Sequence, residues 1–230
     1  MNHIFVDFEM NPIEKKHKEA RQICTQEIIE IGAVMLDANY EEISAFKCYV
    51  KPEYSTEITR KCMEITGITT EMLQMASTFS EALLDFVIWC MDQGEDFEIY
   101  AWSENDLLQL TGEMRLKEVE PMDEVAYIVE HWHDFQKTFC DLLGLYRPIS
   151  LETAVGSIGK KFVGQIHDAL WDARNTAHIY SLSKDTETFY AVMKPIMELL
   201  QPREEFTCML GDLFNLNELI YVDDCERTVG

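Results

Sequence analysis

Positive charge is scarce in this sequence. Its 230 residues carry 19 lysines and arginines against 42 aspartates and glutamates, a formal net charge of −23. That balance excludes a broad basic surface that holds nucleic acid electrostatically, so any polyanion must be gripped locally and with help from metal. Weak affinity for long duplexes follows. Long apolar runs are missing too. No stretch nears the roughly 18 residues of a membrane span, and the first residues lack a basic region followed by an apolar core. No membrane and no secretory signal are expected. The seven cysteines (Cys24, Cys48, Cys62, Cys90, Cys140, Cys208 and Cys225) contain no CxxC pair. Their odd number and irregular spacing argue against a disulfide framework or a zinc site, and for reduced thiols in a cytoplasmic protein. His131 and His133 flank Trp132, but an i, i+2 pair on a helix does not face one metal. No internal repeat is visible.

What is present suits one large domain with an appended piece. Hydrophobic residues make up 47% of the chain, enough for a real core. We expect a domain over residues 1–200 and an acidic C-terminal extension over residues 201–230. The extension could serve as a tail, a small cap or a segment for a protein partner.

His3 to Val6 is an apolar run of good strand propensity that ends on Asp7-Phe8-Glu9-Met10. Side chains alternate along a strand, so Asp7 and Glu9 share a face and Phe8 takes the other. Either the strand runs out to solvent here, or the two acids hold a partner that offsets their burial. Residues 12–26 contain Lys15, Lys16, His17, Lys18 and Arg21, the densest positive run in the chain. That run is either a solvated loop or short helix, or a substrate-facing loop beside the acids. Glu27 to Leu36 and Glu42 to Lys51 are two further strands, which with the first make an antiparallel meander. Glu64 to Thr69 is a turn-like link. Thr78 and Glu81 have capping-box spacing ahead of a helix over 82–91. Phe97 to Trp102 is a fourth strand, parallel to its neighbour because a long crossover precedes it. Ser103 to Leu110 begins another helix. Residues 111–127 give a weak, charged signal, expected as an irregular linker or partner-facing insert. Helices are expected over 127–145, 150–163, 169–183 and 186–200. The sum is an α/β architecture: a mixed sheet, antiparallel meander plus parallel strands, flanked by helices.

Acids recur at the edges of these elements. Asp7 and Glu9 end the first strand, Asp106 opens the helix after Trp102, and Asp172 lies in the helix after His167. His167 and Asp172 can meet only if His167 sits in the preceding loop, with Asp168 as N-cap. Four carboxylates without basic partners would repel one another and raise their pKa values. Divalent cations relieve that repulsion, and oxygen ligands favour Mg2+ or Mn2+. Two such ions, roughly 3.5–4 Å apart, can hold both the attacking and leaving oxygens of a phosphodiester displacement. His167 would take the proton from the attacking water.

The order Asp-x-Glu, a middle Asp, then His-x-x-x-x-Asp resembles the DEDDh family of 3′-to-5′ exonucleases. Val6-Asp7-Phe8-Glu9, Glu27 to Val34, Ile65 to Ile68, and His167 to Ala173 are most similar to its Eri-type RNA exonuclease branch. The likeness covers about residues 1–183. It implies a ribonuclease-H-like fold and release of nucleoside 5′-monophosphates from the 3′ end of single-stranded RNA or DNA, with RNA favoured. It further implies that Asp7, Glu9 and Asp172 ligate a first metal, that Asp7 bridges to a second, and that Asp106 holds a metal-bound water. His167 would be the general base. Phe8, Met10, Ile68 and Trp102 match positions near the terminal nucleotide. The middle motif, Trp102-Ser103-Glu104-Asn105-Asp106, departs from the family pattern, and Glu104 competes with Asp106 for the role. The alternative reading is a catalytically silent module that binds nucleic acid or protein on the same fold, with the acidic surface or the tail meeting a protein partner.

Overall fold

In a computed structural model, residues 1–200 are described apart from Gln93, Glu95, Lys160 and Lys161. The expected C-terminal extension lies outside the described residues. The chain runs β1 (Asn2–Pro12), α1 (Ala20–Ile23), β2 (Gln26–Leu36), β3 (Glu42–Tyr49), α2 (Arg60–Thr66), α3 (Thr70–Leu73) and α4 (Phe79–Met91). It continues through β4 (Phe97–Ala101), α5 (Asn105–Leu116), α6 (Asp123–Glu130), β5 (Trp132–Asp134), α7 (Phe135–Leu143), α8 (Leu151–Ser157), α9 (Ala169–Lys184) and α10 (Thr186–Leu200). The five strands form one sheet in the order β3-β2-β1-β4-β5, a mixed ribonuclease-H-like arrangement with helices on both faces.

β1 is the central strand, and its alternation explains both layers. Ile4, Val6 and Phe8 point into a core shared with Phe79, Leu83, Phe86 and Val87 of α4. Phe5 points the other way, into a core built with Phe135, Phe139, Ala173, Ala177 and Phe189. The acids follow Phe5 on this second face. β1 pairs with β2 along its whole length but with β4 only from Asn2 to Phe5. Beyond Phe5 the β4 side of the strand is open. The acids therefore end neither in solvent nor in a closed sheet, but in a notch that α5 enters.

Three expectations are corrected. The single helix over 127–145 is α6 and α7 separated by β5, whose residues pair Ile99↔Trp132, Tyr100↔His133 and Ala101↔Asp134. The apolar spacing runs on through Trp132, but Asp134 accepts a bond from Lys137 N at 2.9 Å and starts a new helix there. Of the linker over 111–127, residues 111–116 are the second half of α5 and 123–127 the start of α6, leaving a non-helical link only over 117–122. The helix over 150–163 is shorter and stops at Ser157. His133 meets Glu98 at 2.5 Å and His131 stacks on Tyr127, so each histidine of that pair has a structural partner.

Candidate active site

The open half of β1 is completed by a side chain. The Phe8 N–H, lacking a strand neighbour on the β4 side, donates to Asp106 Oδ1 at 3.2 Å. This bond draws the start of α5 into the notch and leaves Asp106 only 6% exposed. Glu104 is the residue before α5 and is exposed, so Asp106 is the acid of this motif that the fold buries. On the other side of β1 a register shift at Glu9/Met10 leaves Ile29 as a bulge. Bulges re-aim side chains beside sites.

α9 brings the last acid. Its first turn lies directly on Gly32, the residue paired with Asp7, so closely that a Cβ there would stand 2.1 Å from Leu170 N and 2.2 Å from Ala169 C. Ala169, Ala173 and Ala177 supply the narrow helix side this approach needs, and all three are buried. The helix start is held three ways. Asp168 Oδ1 accepts from Trp171 N at 3.3 Å, Glu30 Oε2 accepts from Ala169 N at 3.0 Å, and Lys47 Nζ bridges Glu30 at 2.8 Å and Asp168 at 2.6 Å. Asp172, in the first turn, is thereby fixed 7% exposed opposite Asp7 and Glu9.

His167 is exposed in the loop before α9 with a φ of 63°, a left-handed conformation costly for any residue with a Cβ. The loop is tied down around it. The His167 N–H donates to Asp172 Oδ2 at 3.3 Å, and Gln165 Nε2 donates to Thr66 O at 3.0 Å. Gly164, at φ +82°, lies under the Trp171 ring, where a Cβ would meet that ring at 2.2 Å.

Burial is the main reason all four acids resist ionising; mutual repulsion adds to it for Asp7, Glu9 and Asp172. Asp7 is held well above the usual carboxylate range, by burial first and then by Asp106, Asp172 and Glu9. Glu9 is pushed up to about 8, by burial and then by Asp172 and Glu30. Burial pushes Asp106 to about 7. It also pushes Asp172 to about 7, although the bond from the His167 N–H works the other way. Glu9, His167 and Asp172 each offer one ligand atom within 4.8 Å of the others. Asp172 Oδ1 is buried with no hydrogen-bond partner among the described residues. An orphaned carboxylate oxygen beside three repelling acids is the donor set a hard divalent cation fits.

The four residues expected near the terminal nucleotide are placed differently from one another. Met10 lines a 260 Å³ groove that runs from Glu9 past Cys62 and Thr66 to Pro12 and Gln26. Phe8 is 4% exposed in the core on the face away from the acids, with Trp132 beside it. Ile68 is 2% exposed among Ile29, Ile58, Cys62 and Leu73. Trp102 packs on Phe135 and Phe139, and its indole N–H donates to Ile149 O at 3.2 Å. Sequence reasoning missed Glu30 and Lys47. The signal for Glu30 was there, a carboxylate inside the apolar run Ile28 to Leu36.

Comparison with known proteins agrees with this geometry. A family model described as RNase_T exonuclease matches residues 4–180. ERI1 exoribonuclease 2 of Xenopus laevis is 31% identical over 199 residues, covering 77% of this chain and 28% of that protein. Human 3′-5′ exoribonuclease 1 is 25% identical over 188 residues, covering 76% of this chain and 50% of that protein. The chain thus spans half or less of the length of these curated relatives. The crystal structure of the nuclease domain of 3′hExo, a DEDDh family member bound to rAMP, superposes with a TM-score of 0.68 at 22% identity, covering 82% of this chain and 94% of that one. With the matched span running from β1 to α9 and so including every acid of the notch, the chain belongs to the DEDDh 3′-5′ exonuclease family, in its Eri-type branch.

Proposed function

We propose that this protein is a 3′-to-5′ exonuclease that hydrolyses phosphodiester bonds of single-stranded nucleic acid, RNA in preference to DNA, and releases nucleoside 5′-monophosphates. The observation that carries the reading is the buried, unpartnered Asp172 Oδ1 facing acids from β1 and α5, with an exposed histidine beside them. Asp7, Glu9 and Asp172 would hold one Mg2+ or Mn2+, with Asp7 and Asp106 toward a second. Bound there, the ions supply charge stabilisation of the attacking and leaving oxygens. The protein's own contribution is position and proton transfer. His167 stands on the solvent side of the cluster, where water enters, and receives the proton of the attacking water. Its backbone bond to Asp172 couples the loop to the metal-binding acid. Met10 and the groove beyond Glu9 receive the terminal nucleotide, while Phe8, Ile68 and Trp102, each buried in a different core cluster, act through packing rather than by direct contact with it.

The test is hydrolysis of 5′-labelled single-stranded RNA and DNA with Mn2+, with and without EDTA. A ladder shortening from the 3′ end, abolished by EDTA, is expected. No turnover on either substrate would instead indicate a silent binding module. His167→Ala is expected to lower kcat by about 10²–10⁴-fold with a smaller change in Mn2+ affinity measured by calorimetry. If the two fall together, His167 is a ligand rather than the base.

A further inference from the structure

The 13–25 segment joining β1 to β2 holds a second feature that the catalytic site does not use. Lys15, Lys16, Lys18 and Arg21 lie here with only Glu14 and Glu19 opposing them, a local positive excess in a chain of net charge −23. The segment is not a loose loop. Ile13, Ala20 and Cys24 are buried against Leu116 of α5 with Tyr54 packed on them, and Arg21 turns inward to Ile13 O at 2.6 Å. Glu14 ties the segment to Thr56, accepting from its backbone N–H and its hydroxyl at 2.7 Å each, and also pairs with Lys16. With the apolar side anchored, Lys15 and Lys18 are left exposed. The edge of His17 meets the Tyr54 ring at 5.4 Å. Lys16, His17, Lys18 and Tyr54 line an open cavity of 550 Å³.

Its location relative to the acids gives it a meaning. Pro12, where the segment leaves β1, is three residues beyond Glu9, about 10 Å along a strand. The groove beside Glu9 ends at Pro12 and Gln26, the two roots of the segment. Lys61 lies along that groove and is the one cation among its lining residues, between the acids and the roots of the segment. A strand whose 3′ end lies at Asp7 and Glu9 would continue over these side chains. Lysines answer phosphates, and an aromatic pair offers a face for an unpaired base.

We propose that the 13–21 segment, with Tyr54, is an upstream binding site for the phosphate backbone of single-stranded nucleic acid, a few nucleotides from the scissile bond. This rests on the exonuclease reading. The site makes the enzyme favour strands long enough to reach it, and it supplies locally the attraction that the acidic remainder of the molecule withholds.

The experiment compares a trinucleotide with a dodecanucleotide of the same RNA sequence. In the Lys15→Glu/Lys18→Glu variant, the ratio of kcat/KM for the long strand over the short one is expected to fall about tenfold or more. Lys15→Arg/Lys18→Arg should keep it. Binding of the dodecanucleotide in an Asp7→Asn background, which stops turnover, is expected to lose about 1.4 from its slope of log K against log salt, about 0.7 for each phosphate that a lysine neutralises. A dodecanucleotide with uncharged methylphosphonate linkages upstream should lose its advantage on the wild type and show no further loss on the glutamate variant. An unchanged ratio and slope, or an equal loss on both lengths, would overturn the proposal. Failure of the wild type to shorten either strand would sink the exonuclease reading instead, and the binding slope then still decides whether the lysines grip phosphate.

Discussion

Glu9 faces Glu30 directly across β1 and β2, a pairing that strands ordinarily avoid. Glu30 survives because Lys47 and the Ala169 N–H take its two oxygens, whereas Glu9 has no such relief among the described residues. The consequence is a pH dependence of stability. In metal-free protein Glu9 titrates near 8 and Asp106 and Asp172 near 7, against ordinary values of 4.5 and 3.8. The folded state therefore holds more protons than the unfolded state between about pH 4 and pH 8, and stability falls as pH rises across that window. The contribution is complete below the ordinary carboxylate pKa and gone above about 8. We expect the Tm of EDTA-treated protein to fall from pH 5 to pH 8, and Mn2+ to restore it most at pH 8, as read by thermal melts across that range. A flat profile would mean that the acids are not buried as described.

At the scale of elements, the site depends on how closely α9 can approach the sheet. Gly32→Ala would put a methyl into the backbone of Ala169 and Leu170, which cannot rotate aside as a side chain can. Overpacking of this kind costs about 1–3 kcal/mol. Because the displaced turn carries Asp172 and the His167 loop, we expect kcat on a labelled oligonucleotide to fall well beyond what the loss in Tm accounts for. A variant of equal Tm loss in α4, such as Val87→Ala, serves as the control. Full activity in Gly32→Ala would show that Asp172 tolerates a shifted helix. The elements also separate what was legible in the sequence from what was not. Asp7, Glu9, His167 and Asp172 stood out because strand alternation and N-cap chemistry are local rules that need only neighbouring residues. β5 was hidden, since the apolar spacing of α6 and α7 runs through Trp132 without a break. Lys47 was hidden for another reason: its reach to Asp168 exists only through the register of β3 on β2 and the docking of α9. The burial of Phe8, Ile68 and Trp102 follows from which face each helix covers, again a tertiary fact.

At the scale of the whole molecule, charge sets what can approach. A net charge of −23 opposes the counterion release on which non-specific duplex binding rests. Proteins that use it bind duplexes with Kd values of about 10⁻⁴–10⁻⁶ M. We expect no saturable binding of a labelled duplex below about 10⁻⁴ M at physiological salt, measured by anisotropy. Tight duplex binding would mean that the basic segment reaches further than one strand. Among the described residues no helix is long and apolar enough to cross a membrane.

Asp7 lies early in the described chain and Asp172 late, and the close docking of α9 on Gly32, the residue paired with Asp7, is what lets both reach one notch. Contacts between such distant residues form late, after the cost of closing a long loop has been met. A chain still emerging from the ribosome holds Asp7 and Glu9 on their hairpin long before α9 exists. Once α5 has formed it holds three of the four acids, Asp7, Glu9 and Asp106, and it gains Asp172 last.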